Sequence, residues 1–254
     1  MSQPRRARRP LSCVSRILVH PSARIRRRAG DRAYCVPCPR SRSRRPAGKR
    51  SGPLRGRPLL VLAHGAGAPM TSAFMEHVAD GLVERELCVV RFHFPYMDEM
   101  QRTGKRRGPD PARRLLATWR AMLDIVAKMR GKSGVAIGGK SMGGRYASML
   151  AAAGDAPEAK ACVYFGYPLH PPGRPEKLRA AHLADVPVPQ LFIQGDKDEL
   201  AKPKILAKVL AKLPQARLVR VEGGDHSLAT SRKDPLAGSD AWLDEAALFI
   251  REHC

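Results

Sequence analysis

The chain has 254 residues, 43% of them apolar, with 46 Lys and Arg against 23 Asp and Glu, a formal net charge of +23. That length allows one large domain or two small ones. No run approaches the ~20 apolar residues of a membrane span, no secretory apolar segment is found near the start, and nothing in the cysteine pattern suggests a disulfide framework, Cys88, Cys162 and Cys254 being scattered, so a reducing, cytoplasmic setting is expected.

The charge divides the chain. Residues 1–57 hold 18 Lys and Arg, 17 of them Arg, against Asp31 alone, whereas residues 58–254 carry a net charge of only +6. The first segment is rich in Pro and Ser and has no periodic run longer than Val14 to Val19. Such a composition buries too little apolar surface to offset chain entropy, so residues 1–57 are expected to be a disordered basic tail and residues 58–254 the folded domain. Four readings of the tail compete. Its arginines suit nucleic acid or another polyanion, but Tyr34 is the one aromatic among them, and this reading is not favoured. An Arg- and Ser-rich, acid-poor stretch also suits an organelle-targeting peptide. Cys13, His20, Cys35 and Cys38 contain one C-x-x-C pair, short of a well-spaced zinc module. An extension upstream of a start site in a GC-rich genome accounts best for the Arg-over-Lys skew.

From residue 58 onward, strand-like and helix-like segments alternate, which predicts a mostly parallel α/β sheet of about six core strands with helices on both faces. The apolar run Leu59–Ala63 is too short for a globular helix and reads as a central strand. It leads into His64-Gly65-Ala66-Gly67-Ala68, whose glycines can turn a backbone N–H toward a substrate oxygen. His64 itself reads as a hydrogen-bonding support of that loop and is also a candidate pocket residue. A helix near 72–85 and a strand near 88–93 follow. The next segment, Phe94 to Asp110, reads as a loop at the strands' C-terminal edge, with Tyr96 as a pocket residue and Lys105 to Arg107 facing water. A helix near 110–129 then carries Leu115, Trp119, Met122, Leu123 and Val126 along one core-facing stripe.

A strand near 134–138 runs into Gly138-Gly139-Lys140-Ser141-Met142-Gly143-Gly144-Arg145, and a helix near 143–153 follows. Strand, sharp turn and helix with Ser141 at the apex form the context of a G-x-S-x-G nucleophile elbow. Gly139 and Gly143 flank the serine because a Cβ at either would collide where helix meets strand. The Met142 N–H then opens the helix, where free N–H groups and the dipole favour a developing anion. Lys140 and Arg145 border the elbow and are expected to pack sideways.

Two more groups follow in order. A strand near 161–165 precedes Gly166 to Arg179, a second edge loop with Tyr167 and His170 as pocket residues. A strand near 189–194 ends in Gly195-Asp196-Lys197-Asp198, and one near 216–221 ends in Glu222-Gly223-Gly224-Asp225-His226. Ser141, Asp198 and His226 therefore stand in the order of a hydrolase triad, each past a strand's C-terminal end. His226 is the general base that activates the serine hydroxyl, and Asp198 fixes its tautomer. Asp198 is preferred to Asp196 because the carboxylate needs a few residues of loop to reach over the edge; Asp196 is expected to cap a turn, and Asp225 to point elsewhere. The oxyanion hole falls to the N–H of Met142 and one from Gly65, Ala66 or Gly67. Helices near 201–213 and 239–251 complete the pattern. Cys88 and Cys162 read as small buried hydrophobes. No dinucleotide, Walker or metal-ligand motif is present, and triad hydrolysis requires no cofactor, so none is expected.

These residues resemble an α/β-hydrolase. More narrowly, Leu62–Gly67, Gly138–Gly143, Phe165–His170, Gly195–Asp198 and Asp225–Ser227 are similar to the small hydrolase-like family of testis-expressed and chromatin-complex proteins, neighbours of the dienelactone hydrolases. The resemblance spans about residues 58 to 252. It implies a core with little or no cap and a Ser-Asp-His triad on the residues named. Dienelactone hydrolases use a cysteine where this chain has Ser141, so dienelactone turnover is not expected.

Two functions follow from different classes. One is a serine hydrolase that acts on a small carboxylic ester or thioester. The other is a non-catalytic fold of the same kind, serving as an interaction module with the basic tail as its arm. The complete set of Ser, Asp and His favours the enzyme.

Overall fold

The computed structural model describes residues 56–130 and 134–254, together with the backbone of a two-residue strand, β1 (Ile17–Leu18). The expectations placed on the tail before residue 56, its disorder and its Cys13, His20, Cys35 and Cys38 among them, lie outside the described residues. β1 falls within the Val14–Val19 run and pairs antiparallel with β3 (Cys88–Phe92) at one sheet edge.

Six parallel strands follow: β2 (Leu59–Ala63), β3, β4 (Val135–Lys140), β5 (Ala159–Phe165), β6 (Gln190–Gly195) and β7 (Ala216–Val221). The sheet order is β1-β3-β2-β4-β5-β6-β7. The chain steps outward from β2 to β3, then returns across β2 to begin β4. The direction of winding thus reverses between β2 and β4, and the loops that leave these two strands open a crevice at their C-terminal ends.

Continuous apolar strands are what a sheet covered on both faces requires. Along β2, Leu59, Val61 and Ala63 enter one core while Leu60 and Leu62 enter the other, following the twofold period of a strand. The first core is covered by α2 (Pro95–Thr103), α3 (Ala112–Arg130), α4 (Met142–Ala152) and α5 (Pro203–Leu210). The second lies under α1 (Ala73–Glu84) and α6 (Ser239–His253). The stripe expected on α3 is buried throughout, from Leu115 to Val126. Cys88 and Cys162 are both buried in the apolar core. On the shorter α5 the stripe is only partly covered: Leu206 and, just past the helix, Leu213 are buried, while Ile205, Val209 and Leu210 are partly exposed.

One segment departs from expectation. The stretch 94–110, read as a single loop, begins with the helix α2. Its local signals are those of a helix: Pro95 in the first turn, Asp98 near the N-terminus, Arg102 near the C-terminus, and Gly104 closing it at φ +70°. Tyr96 and Met97 turn inward while the cationic run Lys105 to Arg107 is exposed. Asp110, buried at the far end of the segment, accepts the Tyr96 N–H at 2.9 Å and is held by Arg107 at 3.1 Å and Arg114 at 3.2 Å. A carboxylate brought from outside thus satisfies a helix N-terminal donor. Asp110→Ala should lower the unfolding free energy by about 1–3 kcal/mol, read in urea, by stranding that donor and two guanidinium groups.

Candidate active site

The elbow takes its shape from close packing. Ser141 adopts φ 50° and ψ −114°, a left-handed conformation unusual for a residue with a side chain. It persists because the residues on either side are in contact with β2. A Cβ on Gly139 would fall 2.3 Å from the Ala63 carbonyl oxygen, and one on Gly143 would fall 2.4 Å from the same atom. With both side chains absent, α4 starts hard against β2, and Ser141 is lifted clear of the sheet edge. Met142 is the first residue of α4, a position whose N–H lacks an acceptor within the helix.

Three side chains meet above this edge. His226 Nε2 lies 2.8 Å from Ser141 Oγ, and His226 Nδ1 lies 2.7 Å from Asp198 Oδ2. A neutral imidazole with its proton on Nδ1 fits both contacts: Nδ1–H donates to the carboxylate, and Nε2 accepts from the serine hydroxyl. Asp198 has no exposed side-chain surface, and its remaining acceptor capacity is filled. Gln194 Nε2 donates to Oδ2 at 2.5 Å, and the Leu200 N–H donates to Oδ1 at 2.7 Å. The carboxylate is therefore buried with three donors around it, which fixes its orientation. The other two acids serve the loops. Asp196 Oδ1 accepts the Gly223 N–H at 2.8 Å, and Asp225 Oδ1 accepts from Ser227 at 2.7 Å and Ala229 at 3.0 Å.

The loop after β2 lies beside the elbow. A Cβ on Gly65 would rest 3.7 Å from Ser141 Cβ, whereas Gly67 has open space around it. Gly65 is buried, and Ala66 and Gly67 are exposed. The loop's carbonyls are turned away into the protein: Tyr96 Oη donates to Gly65 O at 3.2 Å and to Ala66 O at 2.9 Å. His64 is fully buried and carries two further ties. Its Nδ1–H donates to Gly65 O at 2.6 Å, and its Nε2 accepts the Phe94 N–H at 3.1 Å. Burial, reinforced by neighbouring His93, holds the imidazole neutral down to about 3, so it is a fixed brace between two loops.

The four residues expected to line a pocket are placed otherwise. His64 and Tyr96 are both completely buried and act on the loop's backbone. Tyr167 is also fully buried, with its ring against Tyr164 and Phe192 and its hydroxyl 3.3 Å from Ser148 Oγ. His170 is 2% exposed, and its Nδ1–H donates to Pro171 O at 2.9 Å. The reason is common to all four: amphipathic rings at the start of an edge loop turn into the core and leave the exposed rim to residues such as Arg174. Gln194 was not singled out from sequence. Besides holding Asp198, it accepts the Tyr167 N–H at 2.7 Å. A lone polar residue closing the apolar run Leu191-Phe192-Ile193 was its only signal.

Among the described residues, no cluster of His, Cys, Asp and Glu is placed to hold a metal ion, and no helix is long and apolar enough to cross a membrane. With this geometry in view, the chain's relatives are informative. Residues 56–253 match the family described as alpha/beta hydrolase domain, and the chain belongs to it. Solved structures share the fold at low identity. A dienelactone hydrolase from Anabaena variabilis superposes with a TM-score of 0.60 at 23% identity, over 78% of this chain and 87% of that one. Est1E from Butyrivibrio proteoclasticus gives 0.58 at 17%, over 77% and 89%. A serine hydrolase without a lid from Xanthomonas campestris gives 0.58 at 24%, over 76% and 82%. The narrower likeness to the testis-expressed and chromatin-complex group is not among these matches.

The buried brace predicts an acid sensitivity. An unfolded chain protonates His64 near 6.5, whereas the folded protein leaves it neutral to about 3. The unfolded state therefore binds more protons between these values, and stability present above 6.5 is lost as pH falls. By pH 5 the loss should reach about 2 kcal/mol. His64→Gln, which keeps a donor and an acceptor without titrating, should escape it. A constant difference between the two urea midpoints from about pH 7 to 5 would count against the brace.

Proposed function

We propose that this protein is a serine hydrolase that cleaves a carboxylic ester or thioester through an acyl-enzyme on Ser141. The observation that carries the reading is the unbroken hydrogen-bonded line from Asp198 Oδ2 through His226 to Ser141 Oγ, at 2.7 and 2.8 Å. Serine is a poor nucleophile at neutral pH until a base takes its proton, and His226 Nε2 stands where that proton leaves. As Oγ bonds to the substrate carbonyl carbon, the proton passes to Nε2 and the carbonyl oxygen becomes an oxyanion. The N–H groups of Met142 and of the Gly65–Gly67 loop stabilise that charge. The tetrahedral species collapses as Nε2 returns the proton to the departing alcohol or thiol. Water then attacks the acyl-enzyme with His226 again as base, which releases a carboxylic acid and restores the serine. Asp198 remains ionised and steadies the imidazolium that appears in each half-reaction.

The substrate is a small molecule with a short or exposed acyl group. Support comes from the Xanthomonas relative, which is described as lacking a lid. Est1E has been solved with ferulic acid, a compact carboxylic acid of that order of size. Dienelactone itself is not the assigned substrate, because the nucleophile here is a serine. Within the family, the reading retains the likeness to the testis-expressed and chromatin-complex hydrolase-like proteins. It also takes residues 58–254 as the catalytic unit, working in the cytoplasm, with residues 1–57 as an appended basic segment that turnover does not require.

Fluorophosphonate labelling followed by intact mass tests the serine. One probe should add per chain, Ser141→Ala should abolish the adduct, and His226→Ala should slow it by at least about a thousandfold. A folded wild type that takes no probe would sink the proposal. Tyr96→Phe probes the oxyanion loop separately. It should reduce kcat about tenfold through loosened carbonyls at Gly65 and Ala66, with a stability change of only about 1 kcal/mol.

A further inference from the structure

The elbow motif leaves the residue before the serine unspecified, yet Lys140 occupies a defined place. It is the last residue of β4, and its Nζ donates a hydrogen bond to the backbone carbonyl of His226. The ammonium also lies 5.6 Å from the centroid of the Phe74 ring on α1. Room for this contact comes from Gly166, the first residue beyond β5, at φ +65°. A Cβ there would fall 2.5 Å from the His226 carbonyl oxygen and 2.9 Å from Lys140 Nζ. Three neighbouring segments thus converge on one amine, and its acceptor belongs to the residue that bridges Asp198 and Ser141.

We propose that Lys140 is a positioning residue, whose ammonium clamps the His226 carbonyl and so holds the imidazole in line between Asp198 and Ser141. This rests on the serine-hydrolase reading of the site. The lever is short: the carbonyl carbon and the Cβ that bears the imidazole are both bonded to the Cα of His226, so fixing the peptide restricts where the ring can sit. A misplaced base costs rate far more than binding, because the proton must pass over a narrow range of Oγ–Nε2 separations. The carboxylates of Asp198 and Asp225 are the charged groups that act on the amine. Burial pushes the ammonium down to about 8 against the pull of the two carboxylates. Above that pH the amine releases a proton to solvent. It still carries hydrogens to donate, but the charge assistance, about half the strength of the bond, is gone. The clamp therefore slackens as pH rises through about 8.

The test follows the labelling of Ser141 by a fluorophosphonate from about pH 6 to about pH 10, separating maximal rate from probe affinity, in wild type, Lys140→Met, Lys140→Arg and Ser141→Ala. Wild type should lose rate with a midpoint near 8. Lys140→Met should be slowed about tenfold or more at neutral pH, with probe affinity within about twofold and no alkaline fall. Lys140→Arg keeps its charge at all these values, so it should restore most of the rate and move the fall upward by at least about one pH unit. Equal rates and alkaline profiles in wild type and Lys140→Met overturn the role of Lys140 while leaving the triad standing. If Lys140→Met does not fold, an alkaline fall unmoved in Lys140→Arg overturns it equally. A folded wild type that is never labelled removes the triad reading, and the clamp with it.

Discussion

The contact on which the rest of the molecule depends is the approach of α4 to the end of β2. Gly139 and Gly143 both stand where a single added carbon would meet the Ala63 carbonyl oxygen, at 2.3 and 2.4 Å. That approach forces the reversal at Ser141 into φ 50°, and it brings the helix N-terminus level with the loop leaving β2. Sheet order adds the second condition. β2 and β4 are neighbours, paired Ala63 with Gly139, at the point where the winding reverses. The serine and the Gly65 backbone are consequently side by side because of topology and the absence of two side chains, without any specific bond between them.

Around that contact, groups that bear no direct chemistry are themselves buried and bonded. His64 and Tyr96 are both fully buried, and together they make four contacts to the backbone of two loops. Buried polar groups of this kind are costly unless satisfied, and satisfied ones have few alternative arrangements. The carbonyls of Gly65 and Ala66 are drawn inward by these bonds, which leaves the N–H side of the same peptides turned the other way. The preorganisation an oxyanion needs would thus be established during folding, before any substrate arrives.

What the sequence disclosed follows the same division. Five of the six parallel strands were legible as short, largely apolar runs, as a sheet covered on both faces requires, and β7 by its alternation of apolar and charged residues. Ser141, Asp198 and His226 were legible because their order and their positions past strand ends are themselves the signal. Direction of side chains was not. Tyr96, Tyr167 and His170 lie past strand ends, where residue type alone favours a pocket, yet all three are buried, Tyr96 on the inward side of α2 and the other two beyond β5. α2 was hidden by charge: Arg102, Lys105, Arg106 and Arg107 dominate the segment, and the Asp110 carboxylate that anchors its start lies 14 residues from Tyr96. Gln194 reaches Asp198 from only four residues away, but nothing in residue type marks that contact, and Lys140 meets the His226 carbonyl 86 residues away, a contact visible only in three dimensions.

The three proposed catalytic residues do not share equal support, and the inequality falls on the histidine. Ser141 and Asp198 follow β4 and β6, whose residues are buried almost throughout. His226 follows β7, the sheet's outer strand, where only Val221 is buried and Leu218 is 36% exposed. An outer strand with so little apolar cover opens more readily than the centre of a sheet. The loop that carries His226 is instead suspended from its neighbour: the Gly223 N–H bonds to Asp196, the Lys197 N–H to Gly224 O at 2.9 Å, and Asp225 closes the turn through Ser227 and Ala229. These bonds tie the histidine to the β6 loop that carries Asp198. The proposed base and acid therefore form one hydrogen-bonded unit, joined through their loops as well as by their own 2.7 Å contact. What remains to be fixed is that unit's distance from the serine, and the Lys140 contact is the one that reaches it from the serine's own strand.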